Sequence, residues 1–254
     1  MQPSSTLSRF FGGCAWYQRL PEAAQQRVMA DAYLRTHATR AVVAPSGELA
    51  ASWIGVVEGL LKVDTQNASG RTVMFCAVTE RAWIGEGSLI KKECRRYELS
   101  AMRPTVVAHV PRATFMWLLD SSVGFNRFII DHLNERIGQM LCSLELNRIE
   151  SPLARVAAAV SNLFNPVLYP DAGPRFNISQ VEIGELAGLA RPTTNIALKR
   201  LEELGLVRIE YGALLVPDVD RLRLFSIQAA GRGSTCRSID EVGAPAASRH
   251  VTPT

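Results

Sequence analysis

The spacing of apolar residues changes character several times along this chain. Residues 16–37 (WYQRLPEAAQQRVMADAYLRTH) place Leu20, Ala24, Val28 and Tyr33 at roughly helical steps, with Pro21 in the first turn, and predict a short helix. From about 40 to 118 the period shortens. Runs such as AVVAP, SWIGVVEGLLKVDT, RTVMFCAV, YELSAM and TVVAHV alternate with Gly, Asn and Ser turns, and their length and spacing predict an all-β sandwich or barrel. DTQNASGRT, at 64–72, is the clearest hairpin turn, rich in residues that tolerate positive φ.

Helix resumes with TFMWLL, and a long helical segment follows over about 123–149. There Ile130, Leu133, Ile137, Met140 and Leu144 recur at steps of 3, 4, 3 and 4, an a/d seam with Glu135, Arg136 and Glu145 off it. A helix of about 25 residues is about 37 Å long, more than a small β-domain needs to cover one face. The seam therefore predicts a two-stranded dimer contact, with packing on its own domain as the alternative. Gly138 is the weak point within it.

Ser151 as N-cap and Pro152 at the first helical position open another helix, to Phe164, that buries Leu153, Val156, Val160 and Leu163. After the proline-rich loop 165–175, ISQVEIGELAG carries a full helix start: Ser179 caps, Glu182 completes a capping box, and Ile178 with Ile183 forms a hydrophobic staple. Gly188 ends that helix shortly before Pro192 opens the next. Helix, short glycine turn, helix is the helix-turn-helix pattern. Gly205 closes the second helix, and LVRIEY and GALLVP follow as a hairpin, which makes a winged helix. From about 229 the chain is small, polar and aperiodic and reads as a disordered tail. The division is a β-domain over 16–120, a dimerisation helix over 121–150, a winged helix-turn-helix over 151–226 and a tail over 227–254.

The second helix of that motif has two different flanks. Thr194, Ala197, Leu198, Leu201 and Leu204 cover the side that meets the first helix, while Arg191, Pro192, Asn195, Ile196 and Lys199 lie opposite, with no core to cover. That is the surface that enters a major groove, where Arg and Asn pair bidentately with guanine and adenine edges. Thr193 and Arg200 flank it as candidate phosphate contacts, joined by Ser179 and Gln180 at the start of the first helix. Protein docking is the competing use of such a surface. Between 180 and 208, four basic residues face four acidic ones, so phosphate attraction per protomer is modest and a dimer doubles it.

Composition narrows the rest. The 254 residues are 47% hydrophobic and 20% charged, which describes a globular protein, and a net charge of +4 permits an anionic partner without demanding one. Five scattered cysteines without a Cys-x-x-Cys pair argue against a disulfide framework or structural zinc and suit a reducing, cytoplasmic setting. No run of apolar residues is long enough for a membrane span, and FFGGCAW is too short and too weakly charged in front for a secretory signal to be expected. No His-x-His, Gly-x-Ser-x-Gly or P-loop is present, so an enzyme is not expected. His37, His109, His132 and His250 are dispersed, each expected to be satisfied locally, and no metal, haem or other cofactor is expected.

With β-domain, long helix and winged helix in this order, residues 16 to 225 resemble the Crp/Fnr superfamily of bacterial transcription regulators. The likeness is carried by ISQVEIGELAGLARPTTNIALKRLEELGLV and by IGEGSLIKKECRRYELSAMRPTVVAHVPRATFMWLL. The resemblance implies an α+β architecture: an antiparallel β-barrel of the jelly-roll, cyclic-nucleotide-binding type, a dimerisation helix, and a winged helix reading a palindromic promoter site in double-stranded DNA. It also implies RNA polymerase as a further partner. Cyclic-nucleotide members look like a Gly-Glu pair followed by Arg-Ser/Thr-Ala around ribose and phosphate. Gly85 and Glu86 match the first element, but Arg95, Arg96, Tyr97 and Glu98 stand at the second. A bulky tyrosine and a glutamate disfavour a cyclic phosphate, so an unidentified small-molecule effector other than cyclic AMP is expected. Arg95 and Arg96 are read as surface charges, with a grip on a carboxylate or phosphate as the alternative. The cysteine cluster of the oxygen-sensing branch is absent, with Cys14 alone there. Loss of the ligand, or a thiol switch at Cys76, Cys94 or Cys142, is the alternative. Where relatives carry Arg-Glu-Thr-x-x-Arg on the recognition helix, this chain keeps Arg191 but has Pro192 and Ile196, which predicts a half-site richer in A·T, with Ile196 on a thymine methyl.

Overall fold

The computed structural model describes residues 3–66, 72–146, 149–170 and 173–230. Helices α1 (Pro3–Gly12), α2 (Ala15–Gln18) and α3 (Glu22–Asp31) precede strands β1 (Tyr33–His37), β2 (Val42–Ala44), β3 (Ser52–Glu58), β4 (Leu61–Gln66), β5 (Thr72–Val78) and β6 (Trp83–Ile84). A short helix α4 (Glu86–Lys91), strands β7 (Glu98–Ala101) and β8 (Thr105–Pro111), and helices α5 (Arg112–Ser121) and α6 (Val123–Leu146) follow.

The single helix expected over 16–37 is divided. Pro21 lies just outside α3 as its N-cap, and the stretch ends in β1 rather than helix. Leu20, Ala24 and Val28 are buried, but Tyr33 is exposed at the edge of a sheet. Long-range pairing decides this: all five residues of β1 run antiparallel to β8, and the Tyr33 ring stacks on His109 at 4.8 Å.

Two antiparallel four-stranded sheets, β1-β8-β3-β6 and β2-β7-β4-β5, form the β-domain. Their strands alternate as the pleat requires. Ile54 and Val56 of β3 meet Leu61, Val63, Val78 and Leu99 of the opposite sheet, while Trp53 of the same strand points outward to a second core. That second core joins Trp16 and Phe11 of the amino-terminal helices to Trp83, Phe115 and Phe125. Gly55 is required there, since a Cβ would lie 2.9 Å from the Phe10 and Trp83 rings. Gln66 pairs with Thr72 as a hairpin demands, and the turn itself, 67–71, lies outside the described residues.

Helix α6 corrects the predicted seam. Ile130, Ile137 and Leu144 are 57%, 58% and 61% exposed, as a partner face needs, but Leu133 and Met140 are half-buried against their own β-domain. Leu141, 57% exposed, takes the place of Met140. The β-domain claims the flank carrying Phe125, Ile129, His132 and Arg136, so the bare stripe is rotated to Ile130, Ile137, Leu141 and Leu144. No helix among the described residues is long and apolar enough to cross a membrane.

Beyond α6 lie α7 (Pro152–Ser161), a 3-10 turn (Asn162–Phe164), β9 (Arg175–Phe176), α8 (Gln180–Ala187), α9 (Arg191–Glu203), β10 (Arg208–Glu210), β11 (Ala213–Leu215) and α10 (Val219–Ala229). Ser151 caps α7 as expected, and Val156, Val160 and Leu163 are buried. Helix α10, absent from the sequence reading, is capped by Asp218, buries Leu222 and packs on α7. It takes residues 227–229 out of the expected tail, whose remainder from 231 lies outside the described residues.

The connector after the 3-10 turn ties the two halves together. Leu168 and Tyr169 are buried among β-domain side chains. The Tyr169 hydroxyl donates to the Ala77 carbonyl at 2.8 Å and accepts from Gln139 Nε2 at 2.5 Å. Tyr169→Phe would strip the carbonyl of that donor inside a core. It is expected to cost about 1–3 kcal/mol, read as a lower urea midpoint with an unchanged slope.

Candidate nucleic-acid interface and sensor site

Local chemistry builds the helix-turn-helix. Ser179 Oγ accepts from the Glu182 amide at 3.3 Å and Glu182 Oε2 accepts from the Ser179 amide at 2.6 Å, so the capping box is complete. The staple residues Ile178 and Ile183 are both buried in one core. Gly188 adopts φ 61 at the turn. A Cβ on Gly184 would come within 3.0 Å of Thr194 Oγ1 and 3.1 Å of the Leu189 carbonyl, so the small residue lets α8 and α9 approach closely.

Helix α9 divides as its period dictates. Thr194, Ala197, Leu198 and Leu201 are buried against α7 and α8. On the other flank Arg191, Pro192, Ile196, Lys199 and Arg200 are exposed, with Thr193 and Asn195 half-buried. Ile196 is 71% exposed, a large apolar side chain with nothing of its own protein over it. Asn195 Oδ1 is buried without a hydrogen-bond partner. Arg200 is paired with Glu203 at 2.7 Å, a surface pair of small worth that a phosphate can displace. Gln180 opens α8 half-buried, and Ser179 is already engaged in its cap. Tyr211, fully exposed, sits between β10 and β11 at the tip of the wing, a residue that sequence reasoning passed over.

Arg103, between β7 and β8, reaches Glu182 with Nη2 at 2.9 Å to both carboxylate oxygens and bonds the Asn177 carbonyl at 3.0 Å. The capping glutamate of α8 is thereby tied to the β-domain. Arg103→Met is expected to lower stability by about 1 kcal/mol, since the pair is partly solvated. The loss should shrink when urea titrations are repeated in high salt.

In the β-domain the structure brings Gly85, Glu86, Arg95 and Tyr97 together and turns Arg96 away. Gly85 takes φ 104, and a Cβ there would lie 2.6 Å from Arg95 Nη1. Arg95 is buried, contrary to the surface placement expected, because its Nη2 donates to the Ser52 carbonyl at 2.9 Å. Arg96 is the exposed one, paired with Glu93 at 3.2 Å. Burial, then the Glu86 carboxylate, pushes the Tyr97 hydroxyl up to about 12.

Helix α6 adds two groups that sequence reasoning missed. His132 Nε2 lies 3.7 Å from Glu86 Oε1 and 3.1 Å from the Trp83 carbonyl, which Arg136 Nη2 also reaches at 2.9 Å. Burial lowers the His132 pKa, and the nearby Glu86 opposes that shift, so the ring is neutral near pH 7. Arg136 stays charged: burial works against it, but Tyr169, Cys76 and Glu86 outweigh burial. Four buried polar atoms here have no hydrogen-bond partner: Glu86 Oε2, Arg95 Nη1, His132 Nδ1 and Arg136 Nε. A cluster so incompletely satisfied is costly unless something polar completes it. The i, i+4 spacing of His132 and Arg136 was the available signal. Of the cysteines weighed as a switch, Cys76 is buried and its thiol pushed up by that burial, while Cys94 and Cys142 are exposed.

Comparison with known proteins agrees with this arrangement. The sequence profile of the cyclic nucleotide-binding domain matches residues 34–122, and that of the Crp-like helix-turn-helix domain matches residues 135–225. The chain is 20% identical over 187 residues to the cAMP-activated global transcriptional regulator CRP of Pasteurella multocida, covering 70% of this chain and 87% of that protein. It is 22% identical to Vfr, the corresponding cAMP-activated regulator of Pseudomonas aeruginosa, over 75% of this chain and 92% of that one. The solved structure of FixK2 from Bradyrhizobium japonicum shares the fold at a TM-score of 0.63 and 17% identity, over 76% of this chain and 96% of that one. With a sensor-type β-domain, a long helix and a Crp-like helix-turn-helix DNA-binding domain in sequence, the chain belongs to the Crp/Fnr superfamily of transcription regulators.

Proposed function

We propose that this protein is a homodimeric, effector-responsive DNA-binding regulator that reads a palindrome with paired α9 helices and answers to a small molecule other than cyclic AMP. The observation that carries the reading is the pair of bare surfaces: the Arg191–Lys199 flank of α9 and the Ile130–Leu144 stripe of α6. Dimerisation through the stripe sets two recognition helices on successive major grooves, about 34 Å apart. An effector that prefers one arrangement of the two halves shifts the population toward it.

Cyclic AMP fits this β-domain poorly. Arg96 is turned out and paired with Glu93, and Tyr97 fills the space beside Gly85, Glu86 and Arg95. Those groups, with His132 and Arg136, suit a compact polar ligand able to satisfy both a buried carboxylate and buried guanidinium groups.

At the operator, Arg191 takes a guanine edge, Asn195 an adenine edge and Ile196 a thymine methyl, while Thr193, Lys199, Arg200, Ser179 and Gln180 serve the backbone. RNA polymerase is the further partner expected at such a site. Selection of bound duplexes from a random pool is expected to return a palindrome with A·T-rich half-sites. Recovery of half-sites dominated by guanine would refute the contacts assigned to Pro192 and Ile196.

A further inference from the structure

A cavity of about 520 Å³ opens where three parts of the molecule meet: the amino-terminal helices, α6, and the connector that carries the DNA-binding domain. Its size falls in the range of small-molecule sites. It adjoins the Gly85–Tyr97 region through His132, which lines both, but its amino-terminal wall, 13–19, precedes the matched family profile that begins at residue 34.

The lining is aromatic with charges of both signs. Trp16, Trp83 and Phe128 supply flat apolar surface. Arg19 and Arg81 stand on the side of the amino-terminal helices and β-domain, and Asp131 and Glu135 lie one helical turn apart on α6. With two cations, two carboxylates and a His132 ring kept neutral by burial, the cavity carries no net charge but separates its poles. A Cβ on Gly13 would fall 1.3 Å from Arg81 Nη1, so that guanidinium lies directly against the Gly13 backbone at the cavity wall. That wall also carries unsatisfied polar atoms. Trp16 Nε1, Trp83 Nε1 and His132 Nδ1, on buried lining residues, have no hydrogen-bond partner.

Helical spacing keeps the cavity accessible in a dimer. Phe128, Asp131, His132 and Glu135 fall at i, i+3, i+4 and i+7, one stripe of α6, and Ile130, Ile137, Leu141 and Leu144 project from the opposite side. Leu168 of the connector completes the wall beside Tyr169, which is bonded to Ala77 and Gln139. An occupant therefore touches all three parts at once.

We infer that this cavity binds a small aromatic zwitterion of the amino-acid class, its ring against Trp16, Trp83 and Phe128, its carboxylate toward Arg19 and Arg81, its ammonium toward Asp131 and Glu135. The inference does not depend on DNA binding, and its test uses none. Isothermal titration of the full chain with L-phenylalanine and L-tryptophan is expected to show saturable binding by at least one of them. Phenylacetate and phenethylamine, each lacking one charge, are expected to bind about tenfold more weakly, the worth of one hydrogen bond to a charged group. Ala15→Trp places a bulky ring on an exposed wall position and should abolish binding. Asp131→Asn and Arg19→Met, both at exposed side chains, should each weaken binding about tenfold with thermal unfolding unchanged. Absence of binding by both amino acids, binding untouched by all three substitutions, or phenylacetate binding as tightly as phenylalanine would each overturn the proposal.

Discussion

Replacing Arg191 by alanine is expected to weaken binding to the selected palindrome by roughly tenfold to a hundredfold, the worth of about 1–3 kcal/mol for a bidentate contact to a base. The side chain is exposed at the first position of α9 and makes no ion pair among the described residues, so its removal leaves the helix intact. The loss should concentrate at one base pair of each half-site: duplexes altered there should bind the variant and the parent almost equally. Lys199→Ala provides the contrast. As a phosphate contact it should weaken all duplexes alike and reduce the slope of log K against log salt by about one per protomer. Fluorescence anisotropy over a salt series separates the two. If Arg191→Ala lowered affinity uniformly across sequences, its role would be that of a backbone contact and the assignment of guanine to it would fail.

The helix-turn-helix was legible in the sequence because short-range rules fix it. A capping box, a staple, a glycine at positive φ and a proline-led helix all lie between Ile178 and Pro192, and each acts through neighbours a turn or two away. Where the outcome depends on distant partners, local periodicity misleads. The helical spacing of Leu20, Ala24 and Val28 runs smoothly into Tyr33, yet β8, some seventy residues on, takes Tyr33–His37 as its edge strand. The phase of α6 is a similar case. Apolar residues at 129, 130, 133, 137, 140, 141 and 144 support two overlapping stripes, and only the β-domain's claim on Ile129, Leu133 and Met140 selects the one left bare. Arg95 and Arg96 are adjacent and chemically alike, so nothing in the sequence says which turns inward; the Ser52 carbonyl decides for Arg95.

Ile137→Glu and Leu141→Glu are expected to convert the protein to a monomer and to lower its affinity for a full palindrome by about a hundredfold or more, since two linked half-sites gain that much from simultaneous engagement. Both residues lie in the middle of the exposed stripe, at 58% and 57% exposure, and neither belongs to a core of its own chain. Burying the exposed parts of four such side chains from each protomer contributes on the order of 8–12 kcal/mol, which is comparable with the 4–15 kcal/mol lost in ordering two free bodies. The balance is close, and symmetry makes every substitution count twice. A carboxylate placed at 137 or 141 removes two apolar contacts and sets two like charges across a dry seam. Sedimentation should show the loss of the dimer while circular dichroism in buffer stays near that of the parent. A half-site duplex should be bound equally by variant and parent, because α9 is untouched. If the variants remained dimeric, the partner face would have to lie elsewhere on the molecule, and the spacing of the two recognition helices would no longer follow from α6.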